Sequence, residues 1–141
     1  MKIVVFDTET TGKAKNFNAR YTDVNNWPKM VQIAWQEYDE NGKMMREFDL
    51  IVKPEGYIIP DDAIAIHKIT NEKAHSKGIP LVEALDAFNE AIERNDILIA
   101  HNANFDINFL YDLHAELELP PLTNDFVDTL RLSRKVHRDL K

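Results

Sequence analysis

The sequence contains no cysteine, which excludes disulfides, thiolate zinc sites and cysteine nucleophiles and fits a reducing compartment. It has only four glycines, Gly12, Gly42, Gly56 and Gly78, so neither a GxGxxG dinucleotide loop nor a Walker phosphate loop can form. No apolar run approaches the ~20 residues of a membrane helix, and the start MKIVVFDTETTG lacks the basic head and long apolar stretch of a signal peptide. A soluble, cytoplasmic protein that enters no membrane is therefore expected. Basic residues are also scarce, 17 against 24 acidic ones, for a net charge of −7 and a pI near 5.2. This argues against a general electrostatic grip on nucleic acid. What basic charge there is collects at one end: Arg131, Arg134, Lys135, Arg138 and Lys141 face only Asp139, giving +4 over the last eleven residues and −11 before them.

The 141 residues, 44% hydrophobic and 29% charged, have the length and composition of one globular domain spanning 1–141. Lys2 to Phe6 is a β-branched apolar run that reads as a buried strand ending in the carboxylates of TETTG. Val31, Ile33 and Trp35 alternate with polar or small residues, as do Phe48, Leu50 and Val52, so both stretches read as strands. Asn41-Gly42 between them tolerates positive φ and suits an antiparallel hairpin. Short helices are expected over 61–67 and 71–76, the second capped by Thr70. A longer helix begins at Pro80, with Leu81, Leu85, Phe88 and Ile92 on one face until Asn95. Ile97 to Ala100 reads as a strand, and Asn104 can cap a helix carrying Phe109, Leu113 and Leu117. Phe126-Val127 is the last predicted strand, with Asp128 capping a final helix. The order implies an α/β fold, a mixed sheet covered by helices. Residues 13–29 show no period and contain Asn16, Asn18, Asn25 and Asn26, which reads as a long loop of functional or mobile character beside the first motif.

Asp7 and Glu9 lie two apart on the first strand, so both point to one face. Paired anions at the end of an apolar strand are best explained by a divalent cation with oxygen ligands. Gly12 lets backbone approach a ligand closely. The second constellation is HNANFD at 101–106, where a buried strand meets a helix at the carboxyl edge of the sheet, the usual ligand-binding edge of α/β proteins. Structural roles compete there: Asn104 as cap, Phe105 as core, Asp106 complementing the helix dipole. Asp128 is read as a cap in preference to a further metal ligand. His114 and His75 read as surface residues, and His67 as a structural part of AIHKIT.

Together FDTETTG at 6–12 and HNANFD at 101–106 resemble the first two motifs of the DEDD superfamily of 3′-to-5′ exonucleases, in particular the branch like the proofreading epsilon subunit of bacterial DNA polymerase III. AIHKIT at 65–70 is similar to a family stretch with glycine where Lys68 stands, and FVDTLRLSRK at 126–135 also looks like the family. The resemblance implies a ribonuclease H-like fold and a metal-dependent 3′-5′ exonuclease releasing nucleoside monophosphates. By it, Asp7 would bridge two Mg²⁺ or Mn²⁺ ions, Glu9 would hold the first and Asp106 would support the second, partly through water. Thr10 would contact the terminal nucleotide, with Gly12, His101 and Phe105 also at the substrate. Expected partners are single-stranded DNA or RNA 3′ ends and a DNA polymerase. The family's third motif, H-x4-D, does not follow within the chain; His137 is trailed by Asp139 at the wrong spacing. The expectation is therefore a folded domain truncated at its C-terminus, lacking a final helix and with little or no activity. The rival is a catalytically silent module that binds nucleic acid or a polymerase.

Overall fold

A computed structural model describes residues 1–13, 15–16, 18–19, 26–102, 106, 109–110, 113–115, 117–119 and 122–137. Its elements run β1 (Ile3–Thr10), β2 (Met30–Tyr38), β3 (Met44–Ile51), α1 (Asp61–His67), α2 (Asn71–Lys77), α3 (Leu81–Arg94), β4 (Ile97–Ala100), β5 (Asp125–Asp128) and α4 (Thr129–Val136). Asp106, Phe109, Leu110 and Leu113 to Ala115 are helical as well. The five strands form one mixed sheet in the order β3-β2-β1-β4-β5. β4 pairs parallel with β1, Ile3 opposite Ile97 and Val5 opposite Ile99. β5 pairs parallel with β4, Ile97 opposite Asp125 and Ala100 opposite Asp128. None of the described helices is long and apolar enough to cross a membrane.

The local signals explain most of these elements. In the β2–β3 hairpin Gly42 donates to the Asp39 carbonyl and alone takes a positive φ, 78°. The connection is thus a turn followed by a left-handed glycine, a three-residue loop rather than a two-residue Asn-Gly turn. Asp39 fastens it by accepting from the Asn41 and Lys43 amides at 2.9 and 3.0 Å. Thr70 caps α2 as its sequence predicts, accepting from the Lys73 amide at 3.1 Å. On α3, Ala84, Leu85, Phe88, Ala91 and Ile92 form the buried stripe.

By its contacts the chain divides into two compact units, residues 1–7, 35–47 and 90–141, and residues 8–34 and 48–89. The core of the second unit gathers Val31, Ile59, Ala63, Ile69 and Ala74 under Ile51, Tyr57 and Ile64. In this unit the stem of the long loop is closed by a reciprocal pair: the Asn16 amide donates to Asn26 Oδ1 at 2.6 Å, and Asn26 Nδ2 donates to the Asn16 carbonyl at 2.9 Å. In the first unit the alternation of β2 carries a carboxylate, Glu37, into the interior at 2% exposure, where Arg94 and Asn95 receive it. His114 belongs to the same unit and corrects the surface reading of its sequence. It is 2% exposed, because it shares the inward face of its helix with Leu110, whose carbonyl lies 2.7 Å from Nδ1. His75 is exposed, as read.

Candidate active site

β1 extends through the first motif, to Thr10. Phe6 and Thr8 are buried while Val5 and Asp7 are exposed and Glu9 is half-buried, so Asp7 and Glu9 do share a face. That face corrects one expectation. The apolar run Ile3 to Phe6 suggests a strand covered on both sides, yet the side bearing Val5 and Asp7 is open to water. The Asp7 side chain has no hydrogen bond or ion pair among the described residues. Hydrated but unneutralised, it is a donor still available to a ligand.

Beyond Glu9 the chain is held by side chain to backbone bonds. Thr10 Oγ1 donates to the Gly12 carbonyl at 2.8 Å, and Lys29 donates its amide to Thr11 Oγ1 at 2.9 Å. Gly12 sits at φ 150°, and a Cβ there would meet nothing within 4 Å. None of the described residues fills the space beside it. His67 also faces this segment. Its Nδ1 accepts the Ile69 amide at 3.1 Å, leaving the proton on Nε2, which is buried. Burial pushes the His67 imidazole below its ordinary value, and the Thr10 backbone opposes that shift in part. Nε2 itself has no partner at full hydrogen-bond geometry. Next to it Lys68 adopts φ 65° as the left-handed cap of α1, a conformation that glycine takes without strain.

The second motif leaves β4 through an exposed turn at His101 and Asn102. Two residues beyond the last β1–β4 pair, Asp7 and His101 depart from the same carboxyl edge. His101 Nδ1 lies 3.0 Å from Thr129 Oγ1. Asn102, at φ 60°, donates its amide to Asp128 Oδ1 at 2.9 Å. That same oxygen accepts from the Leu130 and Arg131 amides at 3.0 and 3.4 Å. Asp128 is thus the cap of α4, and it also ties the motif turn to α4, a role that sequence reasoning missed. The signal available was the twenty-eight-residue offset of His101 and Thr129, which equals the β4–β5 register; Asn102 and Asp128, 26 residues apart, lie within two of it. Asp106 is helical and 4% exposed. Asn104 and Phe105 lie outside the described residues.

Asp7 and Glu9 are hard oxygen donors presented together, the donor chemistry that a hard divalent cation takes. Among the described residues no group of three or more His, Asp or Glu stands ready to hold a metal ion. The chemistry available is thus a water-exposed carboxylate, Asp7, on the same face of β1 as the half-buried carboxylate Glu9.

The sequence model of the Exonuclease (RNase_T) family matches residues 4–141. The chain is 32% identical over 139 residues to the PolC-type DNA polymerase III of Streptococcus thermophilus, and 34% identical to that of Lactococcus lactis. In both cases 98% of this chain is covered, but it spans only 8% of the relative's length. Among solved structures, E. coli exonuclease I in complex with a dA13 oligonucleotide superposes with a TM-score of 0.79 at 17% identity, covering 96% of this chain and 30% of that one. A zinc-bound form of E. coli exonuclease I with single-stranded DNA gives a TM-score of 0.78 at 17% identity, covering 96% of this chain and 29% of that one. At that identity the likeness establishes the ribonuclease H-like fold.

Proposed function

We propose that this chain, which belongs to the Exonuclease family, cuts nucleotides one at a time from the 3′ end of single-stranded DNA and releases nucleoside monophosphates. The observation that carries the reading is the Asp7–Glu9 pair, set on one face at the end of β1 within a match that spans nearly the whole chain. Asp7 and Glu9 would hold two Mg²⁺ or Mn²⁺ ions, with Asp106 as the supporting ligand. Such ions, when bound, polarise the phosphodiester and lower the pKa of water. The protein's own share is placement. Thr10, bonded to Gly12, offers its remaining hydroxyl lone pair to the terminal nucleotide. The open space beside Gly12 admits that nucleotide's backbone. His101, set by Thr129, lies at the edge from which the strand would arrive. The oligonucleotides in the exonuclease I complexes favour a single strand as substrate. The PolC-type relatives favour DNA, a polymerase partner and work in the cytoplasm.

The test incubates the chain with 5′-labelled single-stranded DNA, or RNA, and Mg²⁺ or Mn²⁺, beside Asp7→Ala. The expected result is a ladder shortened from the 3′ end that vanishes in Asp7→Ala while its melting temperature holds. An equal ladder from both proteins, or shortening from the 5′ end, overturns the reading. Binding with no cutting identifies a silent module.

A further inference from the structure

The charge of α4 is not used by any of these roles. Every residue from Arg131 to Val136 is exposed, and α4 buries none of its side chains. Arg131, Arg134 and Lys135 have no counterion among the described residues, and the helix contains no acid. At 3.6 residues per turn the three cations fall within an arc of about 100°, while Leu132 and Val136 lie together to one side of it. The first turn is anchored at the carboxyl edge, since Asp128 receives both the Arg131 and the Asn102 amides and Thr129 meets His101. The basic stripe therefore starts where the second motif begins and runs one turn further. The first 130 residues carry a net charge of −11, so this basic stripe stands out against an acidic chain.

From this we infer that the Arg131–Arg134–Lys135 face of α4 grips the phosphodiester backbone of the single strand behind the nucleotide being removed. The inference rests on the exonuclease reading above. Two guanidinium forks and an ammonium match phosphate oxygens geometrically as well as electrically. The grip is independent of base sequence, because no base edge is involved. Leu132 and Val136 form the different, apolar face that a protein partner would cover.

Fluorescence anisotropy of fluorescein-labelled oligothymidylate tests it, using an Asp7→Asn background so that the probe stays whole. Each phosphate contact on a single strand contributes about −0.7 to the slope of log affinity against log salt. Arg131→Gln/Arg134→Gln/Lys135→Gln should flatten that slope by about 2.1, removing about 18-fold of salt sensitivity between about 50 and 200 mM KCl. The charge-conserving Arg131→Lys/Arg134→Lys/Lys135→Arg should keep the parental slope, and so should Leu132→Ser/Val136→Ser. An unchanged slope in the glutamine variant, absence of binding in the parent, or loss of binding only in the Leu132/Val136 variant each overturns the inference. Circular dichroism verifies that α4 persists, since all three positions are exposed and glutamine is a good helix former. Cutting by the native chain is scored separately. An unchanged slope in a chain whose parent cuts defeats the α4 contact alone, whereas a chain that does not cut defeats the exonuclease reading.

Discussion

Replacing Arg94 by Met should cost about 3 kcal/mol of stability, because it leaves a buried carboxylate with only Arg46, half-exposed and 3.9 Å away, as counterion. Glu37, 2% exposed, receives Arg94 Nε at 3.0 Å on one oxygen and Arg94 Nη2 at 2.9 Å on the other. Asn95 Nδ2 donates at 2.9 Å and Trp35 Nε1 at 3.4 Å. Breaking a buried pair from one side costs about 3 to 5 kcal/mol. The lower end applies, because the Arg94 side chain is 34% exposed and water can follow its removal. For a chain of this size the loss corresponds to a melting temperature about 10 °C lower. Adding Glu37→Met to Arg94→Met should restore most of it, leaving about 1 kcal/mol for the lost bond from the Trp35 indole to the carboxylate; Asn95 still donates to the Ala91 carbonyl. Burial alone pushes Glu37 up, but hydrogen bonds from Arg94, Asn95 and Trp35 and the charge of Arg94 outweigh it and hold the carboxyl below its ordinary value. Since the folded value is the lower one, the contribution is complete above the unfolded pKa of about 4.3 and drains as pH falls through the folded value. Urea titrations of the two single variants and the double variant, at neutral and at acid pH, measure all of this. A cost below about 1 kcal/mol for Arg94→Met, or a double variant weaker than the single, would refute the buried-charge argument.

Two further outcomes follow from the second unit. Lys68, left-handed at φ 65°, donates from Nζ to the Ala65 carbonyl at 2.6 Å. Glycine removes a strain of about 1 to 2 kcal/mol and loses only that exposed bond, so thermal melts should rank Gly above Lys and Lys above Ala at this position. His67, whose folded pKa is depressed by burial, binds its proton more readily unfolded. Its share of stability is therefore present above about pH 6.5 and is lost as pH falls through the folded value; His67→Gln should flatten the stability curve between pH 7 and 5, and an unaltered curve would place that slope elsewhere.

What the sequence could reveal was local chemistry. Thr70 and Asp128 announce their helices because a cap needs only amides two or three residues away. Ile97 to Ala100 announces a strand because its apolar run is short and bounded. The first two motifs are equally local, which is why Asp7 and Glu9 share a face as read. The features that escaped depend on what covers a surface. The open side of β1 at Val5 and Asp7, and the burial of His114, are decided by neighbours distant in sequence. Glu37 was legible in part, since it continues the alternation of Val31, Ile33 and Trp35; the partner that makes its burial tolerable, Arg94, lies 57 residues away. The Asp128–Asn102 tie needs the β4–β5 register and so could not be seen from either motif alone.

The Asn16–Asn26 clasp also bears on how this domain can be rebuilt. A reciprocal bond between the two ends of an excursion makes their separation a property of the stem rather than of the intervening chain. Doubling the length between such fixed ends costs only about 0.6 kcal/mol of closure entropy. A change in the number of residues between Asn16 and Asn26 is therefore expected to leave the clasp in place, and with it the stem that joins β1 to β2.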